Sequence, residues 1–360
     1  MRIWVDVANS PHVLFFDPIV RDLRELGHEV DVTARDFAQT VPLAEKYGLN
    51  VTVVGCHGGG HRFLKVLNTL NRARQLRAFA RGKRYDLAIS HNSYAHAIAS
   101  RSLRIRTATL MDYEYQPANH INFRLANLVL VPFTFSDKDL RRYGASPSRT
   151  CKYHGLKEHV YLDGFQPHPS FVESIRACFN EAGLIFSPDH VLIVIRPPAT
   201  MAAYHRFDNP LFGRLLAHLG RDDSARILVF ARTAAQAAEI RPCLGHNTVI
   251  ANRNFEGRNL IFHADLVVSA GGTMNREAAV MGVPAYTIYA GRMGSVDKYL
   301  IRMGKMTAIA GPDDFRRIKI RKKAELSATL RFETRREIVR CILQFAESHR
   351  VANPVPSASF

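Results

Sequence analysis

Short apolar runs alternate with amphipathic stretches along almost the whole chain, and this rhythm restricts the fold more than any other feature of the sequence. The runs at 3–7, 29–33, 51–54, 87–90, 107–111 and 128–131 are too short for helices. They read as strand candidates. Helical patterns separate most of them: Leu14, Ile19, Leu23 and Leu26 lie near one face of a helix that Gly27 stops. Repeated βα units of this kind build parallel sheets.

At 151–170 the rhythm lapses into a stretch rich in Gly, Pro and His, which reads as a linker. A second series follows, with strands expected at 191–195, 226–230, 248–250, 265–269 and 285–288 and a last amphipathic helix at 335–348. For 360 residues two domains are the natural division. The expected fold is α/β, two Rossmann-like domains facing across a cleft. Their expected bounds are 1–165, 166–330 and a C-terminal helix at 331–350. Ligands in such sheets bind outside the carboxyl ends of the strands, which decides the loops to inspect.

The chain is strongly basic, at +17, and the excess is shared evenly: +8 over 1–170 and +9 over 171–360. A basic body rather than a basic tail suits phosphates, anionic lipid or other polyanions. Five scattered cysteines without a Cys-x-x-Cys pair argue against a disulfide framework or structural zinc and for a reducing, cytoplasmic setting. Asp6, Asn9 and Pro11 interrupt any signal-peptide core, and no apolar run reaches the ~20 residues needed to span a bilayer.

Four strand ends offer chemistry. In ADLVVSAGGTMNREAAVMGVP a strand runs into Gly271 and Gly272, and a helix starts near Thr273. Such a turn lets a diphosphate approach free N–H groups, and Glu277, one turn on, could hold a ribose; a plain βα turn with a surface acid fits equally. Arg196 closes the strand VLIVIR, where its planar fork suits a pyrophosphate or, more blandly, solvent. In VANSPHVLFF, Ser10 can cap a helix, Pro11 suits its first position, and His12 in the first turn is a candidate general base or phosphate contact. Asp112 and Glu114, in MDYEY, follow another strand and are candidate acids or bases. The pair Asp137 and Asp139 reads as a helix start capped by Ser136, not as a metal site. The His57 and His61 loop lacks the acids or cysteines a metal needs and reads as a flexible lid. No metal site is therefore expected. The segment 62–84 carries eight basic residues and no acid, with Phe63, Val66, Leu67, Leu70 and Leu76 as an apolar side. It fits either a solvated helix face or a contact with anionic membrane or a lipid-linked acceptor. The cluster at 316–323 (RRIKIRKK) is ambiguous in the same way.

Taken together, VDVANSPHVLFFDPIVRDLRELGHEV, MDYEYQ, YHGLKEHVYL, IRPPAT and SAGGTMNREAAVMGVP resemble the domain-of-unknown-function family numbered 354 (DUF354) over most of residues 1–305. That family belongs with the two-domain glycosyltransferase-B (GT-B) superfamily and is similar at longer range to the non-hydrolysing UDP-N-acetylglucosamine 2-epimerases. The resemblance implies a donor-diphosphate turn at Gly271, Gly272 and Thr273, a ribose-binding acid at Glu277 and a nucleotide contact at Arg196. It places Ser10, Pro11 and His12 where the epimerases carry an Arg-Pro-Glu loop. It implies a last helix that crosses back to the first domain. Epimerase chemistry in that family depends on three carboxylates. Asp112 stands in for one, but His91 occupies the second position and Asn119 with His120 the third.

Transfer of a sugar to an acceptor needs fewer groups, a bound leaving group and one base. The expectation is a cytoplasmic nucleotide-sugar-dependent glycosyltransferase of glycan or polysaccharide biosynthesis, with no obligatory cofactor or metal. Its donor would be UDP-linked, its acceptor a glycan or a lipid-linked sugar, and His12, Asp112 and Glu114 would carry the proton chemistry. The alternatives are an epimerase or hydrolase of the same nucleotide sugar, or a non-catalytic protein that binds polyanions or a membrane surface. Nucleic acid is the partner least favoured.

Overall fold

The computed structural model describes residues 1–56, 62–198, 210–231, 233–253, 255–326 and 329–348, and of 62–65 and 210 the backbone alone. The His57 and His61 loop lies outside the described residues. The chain forms two compact units: Met1–Asp163 together with the described residues from Phe332 onward, and Gly164–Arg331.

The first unit is a seven-stranded sheet of β1 (Arg2–Val7), β2 (Glu29–Asp36), β3 (Thr52–Cys56), β4 (Leu87–His91), β5 (Arg106–Leu110), β6 (Leu128–Pro132) and β7 (Thr150–Tyr153). All neighbours pair parallel, in the order β3-β2-β1-β4-β5-β6-β7. Its helices are α1 (Ser10–Glu25), α2 (Thr40–Lys46), α3 (Arg62–Ala80), α4 (Tyr94–Ser102), α5 (Asn119–Leu125), α6 (Asp137–Arg142) and α7 (Lys157–Leu162), together with α14 (Thr334–Glu347). The second unit has β8 (Val191–Arg196), β9 (Ala225–Val229), β10 (Thr248–Ile250), β11 (Leu266–Ser269), β12 (Ala285–Thr287) and β13 (Thr307–Ala308). These again pair parallel, in the order β10-β9-β8-β11-β12-β13. Its helices are α8 (Phe171–Glu181), α9 (Pro210–Leu219), α10 (Ala234–Ile240), α11 (Gly257–His263), α12 (Thr273–Met281) and α13 (Ser295–Arg302).

The apolar runs become strands for the expected reason. Residues Ile3, Trp4, Val5 and Val7 are fully buried, as are Ile193, Val194 and Ile195, because helices cover both sheet faces. Each sheet reverses its strand order once, between β1 and β4 in the first unit and between β8 and β11 in the second. A crevice opens at the carboxyl ends of the strands at such a reversal.

Several expectations are corrected. The linker read at 151–170 holds β7 and α7, and the chain leaves the first unit after Asp163. Cys151 of β7 and Cys341 of α14 are joined as a disulfide, against the reading of the cysteines as unpaired. Asn9 rather than Ser10 is the cap position of α1, and Ser10 opens the helix with Pro11. Within the basic segment, Arg72 does not face outward.

Arg72 reaches from α3 into the centre of the sheet. Its Nη2 donates to Asp6 Oδ1 at 2.7 Å and its Nη1 to Asp6 Oδ2 at 3.0 Å, while its Nε donates to the Val54 carbonyl at 2.9 Å. Ser93 and Thr33 each donate a further hydroxyl to the same carboxylate at 2.8 Å. Burial alone would raise the Asp6 carboxyl, but the Arg72 charge and these donors hold it well below the usual carboxylate range. Beside them His96 is fully buried, with neither ring nitrogen bonded among the described residues and its ring 4.3 Å from that of Trp4. Burial lowers its pKa to about 4. The 316–323 cluster also turns partly inward: Lys322 Nζ donates to Asp265 Oδ2 and Lys323 Nζ to the Ala264 carbonyl.

Candidate functional site

The first unit's reversal brings together the ends of β1 and β4. After β1, Asn9 in extended backbone starts α1, and Pro11 fits the first turn, where its missing N–H costs nothing. This entry puts His12 against His91, the last residue of β4, with ring centroids 4.6 Å apart. Phe15, one turn along α1, meets His91 edge-on at 5.8 Å. Asp112, just past β5, stands 3.2 Å from His91 Nε2 through Oδ1 and accepts Lys157 Nζ at 2.8 Å through Oδ2. Lys157 opens α7 and is itself buried.

The chemistry of this cluster follows from its partners. Both oxygens of Asp112 are engaged, Oδ1 by the His91 ring and Oδ2 by the Lys157 ammonium. A carboxylate opposite Nε2 assigns the proton to that nitrogen and leaves Nδ1 of His91 as the basic one. His12 is held well below 6.5, chiefly by burial and then by the His91 and Lys157 charges, with Asp112 opposing. It is therefore neutral near pH 7, and its buried Nδ1 has no hydrogen-bond partner among the described residues. Glu114 is buried two residues beyond Asp112, and its main-chain carbonyl accepts Asn119 Nδ2 at 2.9 Å. The structure thus unites His12 and Asp112 through His91, a residue the sequence offered only as the stand-in for a carboxylate. Lys157 was hidden in the stretch read as linker; the available signal was a lysine in the first turn of a helical pattern.

The second unit's reversal brings Arg196 and Ser269 into register at the ends of β8 and β11. Gly271 and Gly272 follow with φ of 100° and 94°, the left-handed region that favours glycine. A side chain at Gly271 would stand 2.8 Å from the Tyr289 ring, whereas one at Gly272 would meet open space. Asn275 Nδ2 fastens the turn by donating to the Ser269 carbonyl at 3.0 Å. Gly272 is the cap position of α12 and can offer no side chain to the first N–H groups, of which Thr273 carries the earliest. Arg196 is partly buried, and among the described residues its Nε has no hydrogen-bond partner. Burial lowers its pKa and the Glu277 charge opposes that shift, so the two side chains sit in one electrostatic field. Glu277 is buried, which excludes the surface acid of the bland reading. Arg276 fixes α12 to α13 through a two-pronged pair with Asp297, at 2.7 and 3.1 Å.

Chemically, the first cluster can hold and move a proton, and the second can receive an anion at an uncapped helix start. Among the described residues no group of three or more His, Cys, Asp or Glu could hold a metal ion. Nor is any described helix long and apolar enough to cross a membrane.

A family model described as "Protein of unknown function (DUF354)" matches residues 1–326. The uncharacterized protein MJ0665 of Methanocaldococcus jannaschii is 25% identical over 311 residues, covering 85% of this chain and 87% of that protein. Among solved structures, a putative UDP-N-acetylglucosamine 2-epimerase from Listeria monocytogenes superposes with a TM-score of 0.73 at 14% identity, covering 100% of this chain and 99% of the other. The Neisseria meningitidis UDP-GlcNAc 2-epimerase bound to UDP-GlcNAc gives 0.69 at 11% identity, covering 96% and 100%. The spinosyn forosaminyltransferase SpnP gives 0.56 at 15% identity, covering 88% of each chain. These likenesses identify the fold as the two-Rossmann GT-B type.

Proposed function

Because the chain belongs to the DUF354 family and has the GT-B fold, we propose that it acts on a nucleotide sugar, as a glycosyltransferase. The carrying observation is the Gly271 and Gly272 turn, which opens toward an uncapped helix start beside Arg196 and Glu277. In this reading the diphosphate of a UDP-linked donor takes the N–H groups from Thr273 on, Arg196 meets its charge, and Glu277 accepts ribose hydroxyls. Two neighbours with this fold were solved with UDP-GlcNAc. The acceptor, a glycan or lipid-linked sugar, attacks the anomeric carbon through a hydroxyl oxygen. The bond to the diphosphate breaks, the nucleoside diphosphate leaves with the electron pair, and a base takes the hydroxyl proton. For that base we favour the first unit's cluster, in which Asp112 faces both the His91 ring and Lys157, with His12 and Glu114 as the further candidates.

A second reading, epimerisation or hydrolysis of the same nucleotide sugar, is favoured by the likeness to the 2-epimerases and by Asp112. Solvent deuterium entering carbon 2 of UDP-GlcNAc during turnover would select it. The donor assignment is tested by calorimetry with UDP. Glu277→Ala should weaken binding by ~1–3 kcal/mol, the range for leaving a buried partner unpaired. Unchanged affinity removes Glu277 from the site.

A further inference from the structure

Helix α3 divides its surface sharply. Arg72, Ala73, Leu76 and Ala80 are buried against the sheet and α4. Beside the buried side runs a stripe of two kinds of residue. Val66, Leu67 and Leu70 are 58%, 46% and 41% exposed, and Arg74, Arg77 and, just past the helix, Arg81 are exposed too. At about 100° per residue these six side chains fall within roughly 100° of arc, so they form one face. Its first half is aliphatic and its second half cationic, and no acid occurs anywhere in 57–85.

We propose that this face is a docking surface for an anionic membrane: the aliphatic half enters the boundary of the acyl chains and the arginine half lies on the lipid phosphates. A merely solvated basic face leaves three adjacent aliphatic side chains unexplained, since exposed apolar residues in soluble proteins are usually scattered singly. A nucleic-acid surface accounts for the arginines but gains little from aliphatic groups, because bases stack on aromatic or guanidinium planes. Lipid uses both halves at once. The contact does not depend on the transferase reading, because none of these residues belongs to either strand-end cluster. The length suits it as well: the stripe from Val66 to Arg77 spans about 16 Å at 1.5 Å per residue, enough for several headgroups.

The test is co-sedimentation of the full chain with vesicles of phosphatidylcholine alone and of phosphatidylcholine mixed with phosphatidylglycerol, at low and high salt. Wild type should bind the mixed vesicles, more weakly at high salt, and leave the neutral ones. Arg74→Glu, Arg77→Glu and Arg81→Glu together should lower partitioning about a hundredfold, from roughly a fivefold contribution per basic residue. Leu67→Gln with Leu70→Gln should lower it about tenfold. All six positions are exposed, so an unchanged thermal midpoint is expected and checks the fold of each variant. No binding of wild type to mixed vesicles overturns the proposal, as does equal binding by all three proteins. Loss in the arginine variant with none in the leucine variant also overturns it, because the face would then be a general polyanion surface.

Discussion

The two strand-order reversals are built on the same topology and furnished in opposite ways. At the β1–β4 reversal the ends of the strands carry large titratable side chains, His12, His91, Asp112 and Lys157, packed against one another out of water. At the β8–β11 reversal the chain clears the space with Gly271 and Gly272 and leaves main-chain N–H groups in front. A proton needs side chains whose affinity for it is set by their neighbours; a diphosphate needs room and aligned dipoles. On the proposed reading one topology would serve both tasks, with the residues at the strand ends deciding which.

The largest expected effect comes from breaking the proton-handling side of this contrast. His91→Ala should fold and bind UDP as wild type does, yet lose ~10²–10⁴-fold in turnover of the nucleotide sugar, as for other general acid–base groups. Full turnover would return His91 to a packing role. Asp112→Asn, which keeps the shape but removes the charge facing Nε2, should fall between the two.

Next in size is the support beneath that cluster. Arg72→Met leaves the Asp6 carboxylate buried without its counter-charge, which should cost about 3–5 kcal/mol of the first unit's stability. Trp4, the single tryptophan, packs beside this pair and reports on the first unit in urea titrations. A loss below about 1 kcal/mol would mean that water reaches Asp6.

The smallest effect separates the units by pH. The folded His96 has a pKa of about 4, below the ~6.5 of an unfolded histidine. Below pH ~6.5 the unfolded chain takes up a proton that the folded one refuses, so stability is full above that value and declines toward pH ~4, by roughly 3 kcal/mol. The depressed His12 adds to the decline in the same direction. Asp6 opposes nothing in this window, because its stabilisation is lost only at lower pH, as the carboxylate is finally protonated. The Trp4 unfolding midpoint should thus fall between pH 7 and 4 and fall less in His96→Leu. An identical slope in that variant would place the buried proton elsewhere.

Much of this was legible in the sequence where the physics is local. Buried parallel strands write themselves as apolar runs, and a turn with positive φ at two successive positions demands Gly271 and Gly272. The strands that escaped are those without a run: β7 is half-exposed apart from Tyr153, and β13 has two residues. Lys157 escaped because a long-range partner, Asp112, is what makes a buried lysine tolerable, and pairing across 45 positions leaves no local trace. Arg72 could have been read more closely. It stands four residues before Leu76 and eight before Ala80, on the stripe that packs, so its inward direction was implied by helical spacing.

The disulfide between Cys151 and Cys341 has a topological consequence. It closes a covalent ring over a sequence separation of 190, and the whole of Gly164–Arg331 lies on that ring. Severing one peptide bond anywhere in the second unit therefore converts a ring into an open chain without releasing a fragment. The two pieces stay one molecule, of unchanged mass but for the added water, until a reductant separates them.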